Sequence, residues 1–314
     1  LLCAAVPTGQ FAEVAYSTVP VEFLLRNLTT LLEPNFPLEG YHALQDVTLV
    51  SAFKGTVGNL PGYLVYRPLL KQLVVATSGT SSVKLALHDL RALKHRHPSE
   101  RGNVHSGFWD LYQGVKPAIF AAVRKGFAEY DVTEIVITGH SMGGSISYLL
   151  CLDLLSGDGG LLPSGVALKL AVFGSPRTGD ASLVEYWREL VAAYQKSHGL
   201  DTFKEYSVKA YNDGVPALPP LQLGYRHFAK ESLYLDRTRL YHIPASESEH
   251  SIFSVAPSTE ASSPSVNFPR GGHNYYNGRD FERLCRRIWW LANAVPDDDG
   301  WEDRYRKRLS KNKP

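Results

Sequence analysis

The sequence predicts an α/β fold in which helices flank a mostly parallel central sheet. Short β-branched runs, such as the Ile-Val-Ile at 135–137, alternate with stretches of helical length. That alternation is typical of a parallel sheet with helices on its faces. The chain shows neither an internal repeat nor a long linker. We therefore expect one domain over residues 1–314, a length that one large hydrophobic core can support.

The individual elements follow from local patterns. Residues 8–32 have apolar side chains at helical spacing, and Pro20 interrupts them because proline removes a backbone donor. Residues 47–53 alternate like a half-buried strand, and a turn at 59–62 indicates a hairpin. Further strands are predicted at 63–66, 73–77, 135–137, 168–173, 206–211, 233–235 and 240–243, and further helices at 108–130, 145–155, 180–195 and 279–294. Residues 244–270 are predicted to be loop. The charged tail from 296 to 314 is expected to lie on the surface or fray.

The strongest functional motif in the sequence is Gly139-His-Ser-Met-Gly143. The Gly-x-Ser-x-Gly pattern fits a nucleophile elbow, a sharp strand-to-helix turn with no room for flanking side chains. In such a turn the backbone N–H of Met142 faces an oxyanion formed beside Ser141. The bare pattern arises by chance in roughly one chain in ten of this length, so an ordinary glycine-rich turn is the alternative. The apolar strand before it and the helix after it favour the elbow.

Composition limits the classes of partner. The 33 basic and 31 acidic residues leave a net charge of +2, which gives no electrostatic case for binding nucleic acid. No apolar stretch reaches the ~20 residues that a transmembrane helix needs. The three cysteines are too few for a disulfide scaffold, although a Cys3–Cys285 pair stays open. Cys151 is expected to be a buried thiol.

A serine hydrolase on an α/β sheet needs an acid and then a histidine after the serine. Asp213 follows a predicted strand, where open sheets place ligand sites, although Asn-Asp-Gly is also a common turn. His273 lies in a loop between glycines and tyrosines, and His250 is the alternative. The histidine takes the proton of the serine hydroxyl, and the carboxylate fixes its tautomer and stabilises the imidazolium.

The second half of an oxyanion hole should come from a loop after an early strand. Thr80 follows the strand predicted at 73–77 and can donate both its N–H and its hydroxyl. Each such donor is typically worth about 3–4 kcal/mol of barrier. A plain turn is the alternative explanation of these residues.

Taken together, these motifs resemble the fungal class 3 lipase family. The matching segments appear in the family's order over residues 45–290, and they are Ser78-Gly-Thr-Ser-Ser82, Asn103-Val-His-Ser-Gly-Phe108, Thr138-Gly-His-Ser-Met-Gly-Gly144, Phe173-Gly-Ser-Pro-Arg-Thr-Gly179, Asp213-Gly-Val-Pro-Ala-Leu-Pro219 and His273-Asn-Tyr-Tyr276. The resemblance implies an α/β-hydrolase fold with a short lid helix. It also implies cleavage of ester bonds in acylglycerols, with no metal and no cofactor.

The resemblance also implies roles for particular residues. Ser141, Asp213 and His273 correspond to a catalytic triad, and Thr80 with Met142 corresponds to the oxyanion hole.

Three further features come from the same comparison. Asp89 falls where the family places an acid that holds the oxyanion-hole hydroxyl. Cys3 and Cys285 correspond to the family's bridge between the N-terminal helix and the C-terminal segment. The stretch 83–89 lacks the tryptophan usual in the lid, which leaves the substrate range open.

Residues 82–102 are predicted to form the lid over the site. Apolar residues at helical spacing give this segment one oily face, which in a lipase closes over the acyl groove in water and meets lipid when open. A surface helix packed on the core fits the same pattern. The basic residues at 94–97 and 101 would favour anionic lipid surfaces or would simply be solvated. The predicted substrate contacts are Leu87, Leu90, Val215, Leu218 and Pro219.

The sequence therefore predicts a secreted serine carboxylic ester hydrolase, a triacylglycerol lipase first of all, acting on ester lipids at a lipid–water interface. Secretion would follow from the predicted bridge together with a glycan on Asn27, the only N-glycosylation sequon. Alternatives on the same fold are a feruloyl or other aryl esterase, a short-chain carboxylesterase, and a phospholipase or diacylglycerol lipase. A non-catalytic lipid-binding relative is the alternative from a different class, and the ordered Ser, Asp and His argue against it.

Overall fold

The fold is built on one eight-stranded sheet. The computed structural model describes residues 2–79, 93–157, 160–236, 239–253, 272–276, 281–295 and 299–311, with side chains from residue 8 onward. The strands of this sheet are β1 (Thr48–Lys54), β2 (Pro61–Arg67), β3 (Gln72–Thr77), β6 (Glu134–His140), β7 (Ala167–Phe173), β9 (Phe203–Ala210), β11 (Ser232–Asp236) and β12 (Arg239–Ile243). They lie in the order β1-β2-β3-β6-β7-β9-β11-β12. The pairings from β3 to β11 are parallel, and the remaining three are antiparallel.

Helices cover both faces of the sheet. The described helices are α1 (Leu2–Val14), α2 (Val21–Arg26), α3 (Leu28–Leu31), α4 (Ser106–Glu129), α5 (Met142–Ser156), α6 (Ala181–His198), α7 (Phe281–Ala292) and α8 (Trp301–Lys311). Successive strand residues point to opposite faces, so Leu73 and Val75 pack with the α4–α6 side while Val74 and Ala76 pack with the terminal helices. No described helix is long and apolar enough to cross a bilayer.

The chain also forms a second, smaller sheet. It contains β4 (Lys94–Arg96), β5 (Asn103–His105), β8 (Gly179–Asp180) and β10 (Tyr225–Arg226), in the order β10-β8-β5-β4. We did not predict these strands, because two or three residues are too short to show a hydrophobic period. The part of the predicted lid that the structure describes, residues 93–102, therefore contains a strand.

The predicted α/β-hydrolase architecture is confirmed. The charged tail, which we expect to lie on the surface or fray, forms α8 over residues 301–311. Trp301 and Tyr305 are 5% and 0% exposed and pack against aromatic residues of the N-terminal region such as Phe36. Two buried aromatic side chains anchor an otherwise charged helix, and an argument from charge alone missed them.

Glu205 on β9 gives the fold a pH-dependent stability. Its carboxylate accepts a hydrogen bond from the Tyr148 hydroxyl at 2.7 Å. Burial, only partly offset by that bond, raises the pKa of Glu205 from 4.5 to about 7. Between those values the folded state holds a proton that the unfolded state has lost, so the free energy of unfolding falls with rising pH and stays lowered above the window. We expect Glu205→Gln to raise the free energy of unfolding by about 1–3 kcal/mol at pH 8 and to have little effect at pH 4.

Urea unfolding at the two pH values measures this difference. Glu185→Gln is the matched control, since Glu185 is exposed on α6. Equal effects of Glu205→Gln at pH 4 and pH 8 would contradict the prediction.

Candidate active site

Ser141 lies on a strained turn between β6 and α5. Its backbone has φ 58° and ψ −129°, a left-handed region that non-glycine residues rarely adopt. The neighbouring glycines are required by contact: a Cβ on Gly139 would overlap the Gly143 carbonyl, and one on Gly143 would overlap the Thr77 carbonyl. The turn therefore holds the serine where β6 ends, and Ser141 remains 5% exposed.

Asp213 and His273 form a hydrogen-bonded pair at the same edge of the sheet. Asp213 follows β9, and His273 lies on a single helical turn at Gly272–Asn274. The distance from His273 Nδ1 to Asp213 Oδ2 is 2.9 Å. The other ring nitrogen, Nε2, is buried and makes no hydrogen bond to any described residue. It is the nitrogen that a general base would use, and catalytic hydrogen bonds often tighten only when substrate binds.

The surroundings of Asp213 keep it ionised although it is fully buried. Burial alone would raise its pKa, but hydrogen bonds from His273, from the Tyr276 hydroxyl and from the backbone N–H of Val215 outweigh that effect and lower it. The Val215 N–H lies 2.9 Å from Oδ1, and the Tyr276 hydroxyl donates a short bond to Oδ2. A negative charge is thus preserved next to the imidazole, where it favours an imidazolium.

The loop that contains His273 packs closely against the loop that contains Asp213, and a glycine at the contact makes this possible. A Cβ on Gly272 would overlap the Tyr211 carbonyl, so only glycine permits this approach. Gly174, with φ +58°, has the Asp213 carboxylate and the Tyr276 hydroxyl within 3 Å of its missing Cβ. His250, the alternative histidine, is an exposed residue whose ring lies 3.6 Å from Glu247, and it is not part of this cluster.

The structure describes the loop of the predicted oxyanion hole up to Gly79. Its missing Cβ would lie 3.1 Å from Cβ of Ser141, so the loop after β3 runs against the nucleophile. Met142 is the first residue of α5 and is 5% exposed. Its N–H belongs to the helix N-terminus, whose first donors have no partner within the helix. Four predicted site residues lie outside the described residues, and they are Thr80, Leu87, Asp89 and Leu90.

A buried arginine fixes the loop after Asp213. The Arg177 guanidinium donates to the Pro219 carbonyl at 2.9 Å and pairs with the Glu249 carboxylate at 2.8 Å. The backbone N–H of Arg177 donates to the Leu218 carbonyl at 2.7 Å. Val215 and Pro219 are buried and Leu218 is half-buried. The three predicted acyl contacts therefore lie in one loop, which begins at Asp213 and is held in place by the hydrogen bonds of Arg177. Their contact with substrate stays a prediction.

Two residues that we did not predict also lie in the cluster. His140, which directly precedes Ser141, has Nε2 2.7 Å from the backbone carbonyl of His273. Tyr16 follows α1 and reaches His140 Nδ1 at 2.9 Å. No sequence pattern connects a tyrosine near the N-terminus with a histidine more than 120 positions later, so only the tertiary fold reveals this pair.

Two further predictions concern covalent modification. Cys285 lies on an exposed face of α7, and Cys3 precedes the described side chains, so their bridge stays a prediction. Asn27 is half-buried, and its amide donates to the Phe23 carbonyl at 3.0 Å. Its glycosylation also stays a prediction.

The parallel sheet, the strained serine and the buried acid–histidine pair define an α/β-hydrolase with a site of the serine-hydrolase type. The family described as Lipase (class 3) matches residues 74–223, from β3 to the loop after Asp213. Residues 74–223 of this chain, which include Ser141 and Asp213, are therefore similar to class 3 lipases.

Individual proteins show the same similarity. A lipase of Rhizomucor miehei is 28% identical over 62% of this chain and 51% of its own length. A secreted mono- and diacylglycerol lipase of Fusarium solani is 27% identical over 58% of this chain and 50% of its own length. The chain thus spans about half the length of the curated relatives it matches. The crystal structure of a lipase from Rhizopus microsporus var. chinensis has the same fold, with a TM-score of 0.65, 21% identity, and coverage of 90% of this chain and 89% of that one.

Proposed function

We propose that this protein is a serine carboxylic ester hydrolase that cleaves acylglycerols, with triacylglycerols as its first substrate class. The observation that carries the proposal is the buried Asp213–His273 pair, whose Oδ2 and Nδ1 atoms are 2.9 Å apart. The pair lies at the edge of the sheet where β6 ends and Ser141 follows. Acyl transfer through serine needs this set of groups. Relatives that are named lipases support an ester lipid as the substrate.

The reaction is a two-step acyl transfer. The Ser141 hydroxyl attacks the ester carbonyl while His273 Nε2 takes its proton, and Asp213 stabilises the imidazolium through Nδ1. The imidazolium then protonates the leaving alkoxide, which leaves an acyl-Ser141 ester. Water attacks that ester in the same way and restores the serine.

The charge that develops on the carbonyl oxygen needs donors on the other side of the serine. We assign the Met142 N–H as one donor, because it begins α5 directly after the nucleophile. We assign Thr80 as the second, since the loop that contains it runs against Ser141 at Gly79. Each donor is worth about 3–4 kcal/mol of barrier, and Asp89 is the proposed partner of the Thr80 hydroxyl.

The acyl chain is assigned to the loop that follows Asp213. Val215, Leu218 and Pro219 are the apolar residues proposed to contact it there, and the hydrogen bonds of Arg177 fix the backbone that carries them. Leu87 and Leu90 are proposed to contact substrate from the lid at 82–102. An apolar surface beside the triad suits a fatty acyl chain better than a polar acid.

Initial rates on emulsified triolein, diolein, p-nitrophenyl butyrate and methyl ferulate test the substrate class. We expect cleavage of triolein and diolein, with a rate that jumps once the lipid exceeds its solubility limit. The matched blank is Ser141→Ala protein at the same concentration. Activity confined to methyl ferulate or to soluble short-chain esters would replace the lipase assignment with an aryl or short-chain esterase.

We also propose that the protein is secreted. The Fusarium solani relative is named as a secreted enzyme, and a Cys3–Cys285 bridge with a glycan on Asn27 would suit an oxidising compartment. Peptide mapping of non-reduced protein tests the Cys3–Cys285 bridge. Unbridged Cys3 and Cys285 in protein recovered from its natural source would contradict the bridge.

A further inference from the structure

We propose that Tyr16 and His140 act together as a positioning pair that holds the catalytic histidine, the nucleophile turn and the oxyanion loop in one arrangement. Neither side chain is assigned a role in the acyl-transfer steps above. The inference rests on the proposed acyl-transfer function, and it concerns how three separate chain segments are held at the site.

His140 connects the nucleophile strand to the histidine loop. Its Nε2 lies 2.7 Å from the backbone carbonyl of His273. A carbonyl can only accept, so Nε2 carries the proton, and Nδ1 of the neutral ring is an acceptor. The Tyr16 hydroxyl lies 2.9 Å from Nδ1 and supplies that donor. The two contacts together select a single neutral tautomer of His140.

The neutral form suits a neighbour of the general base. The rings of His140 and His273 lie 4.5 Å apart between centroids. Burial, together with the charge that His273 can carry, lowers the pKa of His140 to about 3. A second imidazolium at this distance would oppose the one that forms on His273 during attack. Because His140 stays neutral, it orients the loop and adds no repulsion.

Tyr16 extends the connection to the oxyanion loop. Its hydroxyl also lies 3.1 Å from the His140 carbonyl. A Cβ on Gly79 would overlap this hydroxyl, so the loop after β3 packs directly against the Tyr16 hydroxyl. The Tyr16 ring packs edge-on against Phe281 at 4.7 Å, which fixes its direction. One hydroxyl therefore contacts both segments that flank Ser141.

A positioning role and a purely structural role of the pair predict different kinetics. If the pair only filled the core, its removal would lower stability and leave turnover per folded molecule unchanged. If it positions reacting groups, its removal lowers kcat while KM stays nearly constant, because misplacement by a fraction of an ångström affects the transition state more than binding.

The test compares Tyr16→Phe with Tyr63→Phe, with active sites counted by titration with a p-nitrophenyl phosphonate. Tyr63 is the matched control: it too is a buried tyrosine, and its hydroxyl donates to the Phe11 carbonyl of α1 at 2.8 Å. We expect Tyr16→Phe to lower kcat about 10–100-fold with KM within about twofold. Tyr63→Phe should leave kcat within about twofold, since it removes a hydrogen bond outside the site. Equal kcat values for the two variants would overturn the inference.

Substitutions of His140 add a rescue test. The amide of Gln can still donate to the His273 carbonyl, whereas Leu cannot. We expect His140→Gln to keep kcat within about tenfold of wild type and His140→Leu to lose about 10²–10³-fold. Equal losses in the two variants would show that the donor to His273 does not matter.

A readout without substrate separates this inference from the proposed function. In protein labelled with ¹⁵N-histidine, His140 should appear as a fixed Nε2–H tautomer whose Nδ1 signal changes in Tyr16→Phe. If wild-type protein cleaved none of the esters, the proposed function would fail, and the spectrum would still decide whether the pair exists. An unchanged His140 spectrum in Tyr16→Phe would overturn the inference that Tyr16 and His140 act as a pair.

Discussion

Replacing Ser141 with alanine is expected to lower kcat for ester cleavage by about 10⁵–10⁶-fold. The serine oxygen is the atom that becomes acylated in the proposed mechanism, and no other group in the cluster can replace it. Residual rate would come only from the oxyanion donors and from substrate binding. KM should change little, because a single oxygen contributes little to binding an acyl chain. Initial rates on p-nitrophenyl butyrate measure the loss over the widest range.

The control for this experiment is Ser156→Ala. Ser156 is the last residue of α5, and its hydroxyl bonds only locally, to the Asp153 carbonyl at 2.9 Å. That variant should retain wild-type kcat. A loss of less than about tenfold in Ser141→Ala would exclude the acyl-serine mechanism, since a nucleophile cannot be so dispensable.

Replacing Asp213 with asparagine is expected to lower kcat by about 10³–10⁴-fold. In the native site, Oδ1 accepts from the Val215 N–H, and Oδ2 accepts from both His273 and Tyr276. An amide has only one oxygen, so its NH₂ must face at least one of these donors. The wrong histidine tautomer is then favoured, and the negative charge that stabilises the imidazolium is lost.

The pH dependence and a matched variant complete this test. Because the surrounding hydrogen bonds lower the pKa of Asp213, wild-type activity should not fall through titration of this carboxyl until the pH drops below the ordinary aspartate range. Asp201→Asn is the control, since Asp201 is an exposed residue that follows α6. An Asp213→Asn protein within about tenfold of wild type would show that the acid is a structural turn residue.

Much of the site was accessible from local sequence. The β-branched run before Ser141 and the glycines around it predicted a strand, a turn and a helix, and the structure has β6, the strained turn and α5. Asp213 and His273 were chosen by their order along the chain and by the loops that surround them. These are local signals, because turn chemistry and strand periodicity depend on neighbouring residues.

Other features needed contacts between distant segments. The four strands of the small sheet are too short to show a hydrophobic period, and one of them, β4, lies within the predicted lid segment 82–102. The charge of the tail predicts that it lies on the surface or frays, and burial of Trp301 and Tyr305 anchors it as a helix. In each case tertiary packing outweighs a weak local preference.

The sequence by itself determined the fold class and an ordered set of serine, acid and histidine, because periodicity and turn chemistry are short-range properties. Only the tertiary structure decided which groups surround that set. Tyr276 and the Val215 N–H keep Asp213 ionised, and Tyr16 and His140 hold the His273 loop against the nucleophile turn. The physical reason is that hydrogen bonds and desolvation act over a few ångströms in space, and chain order does not encode that distance.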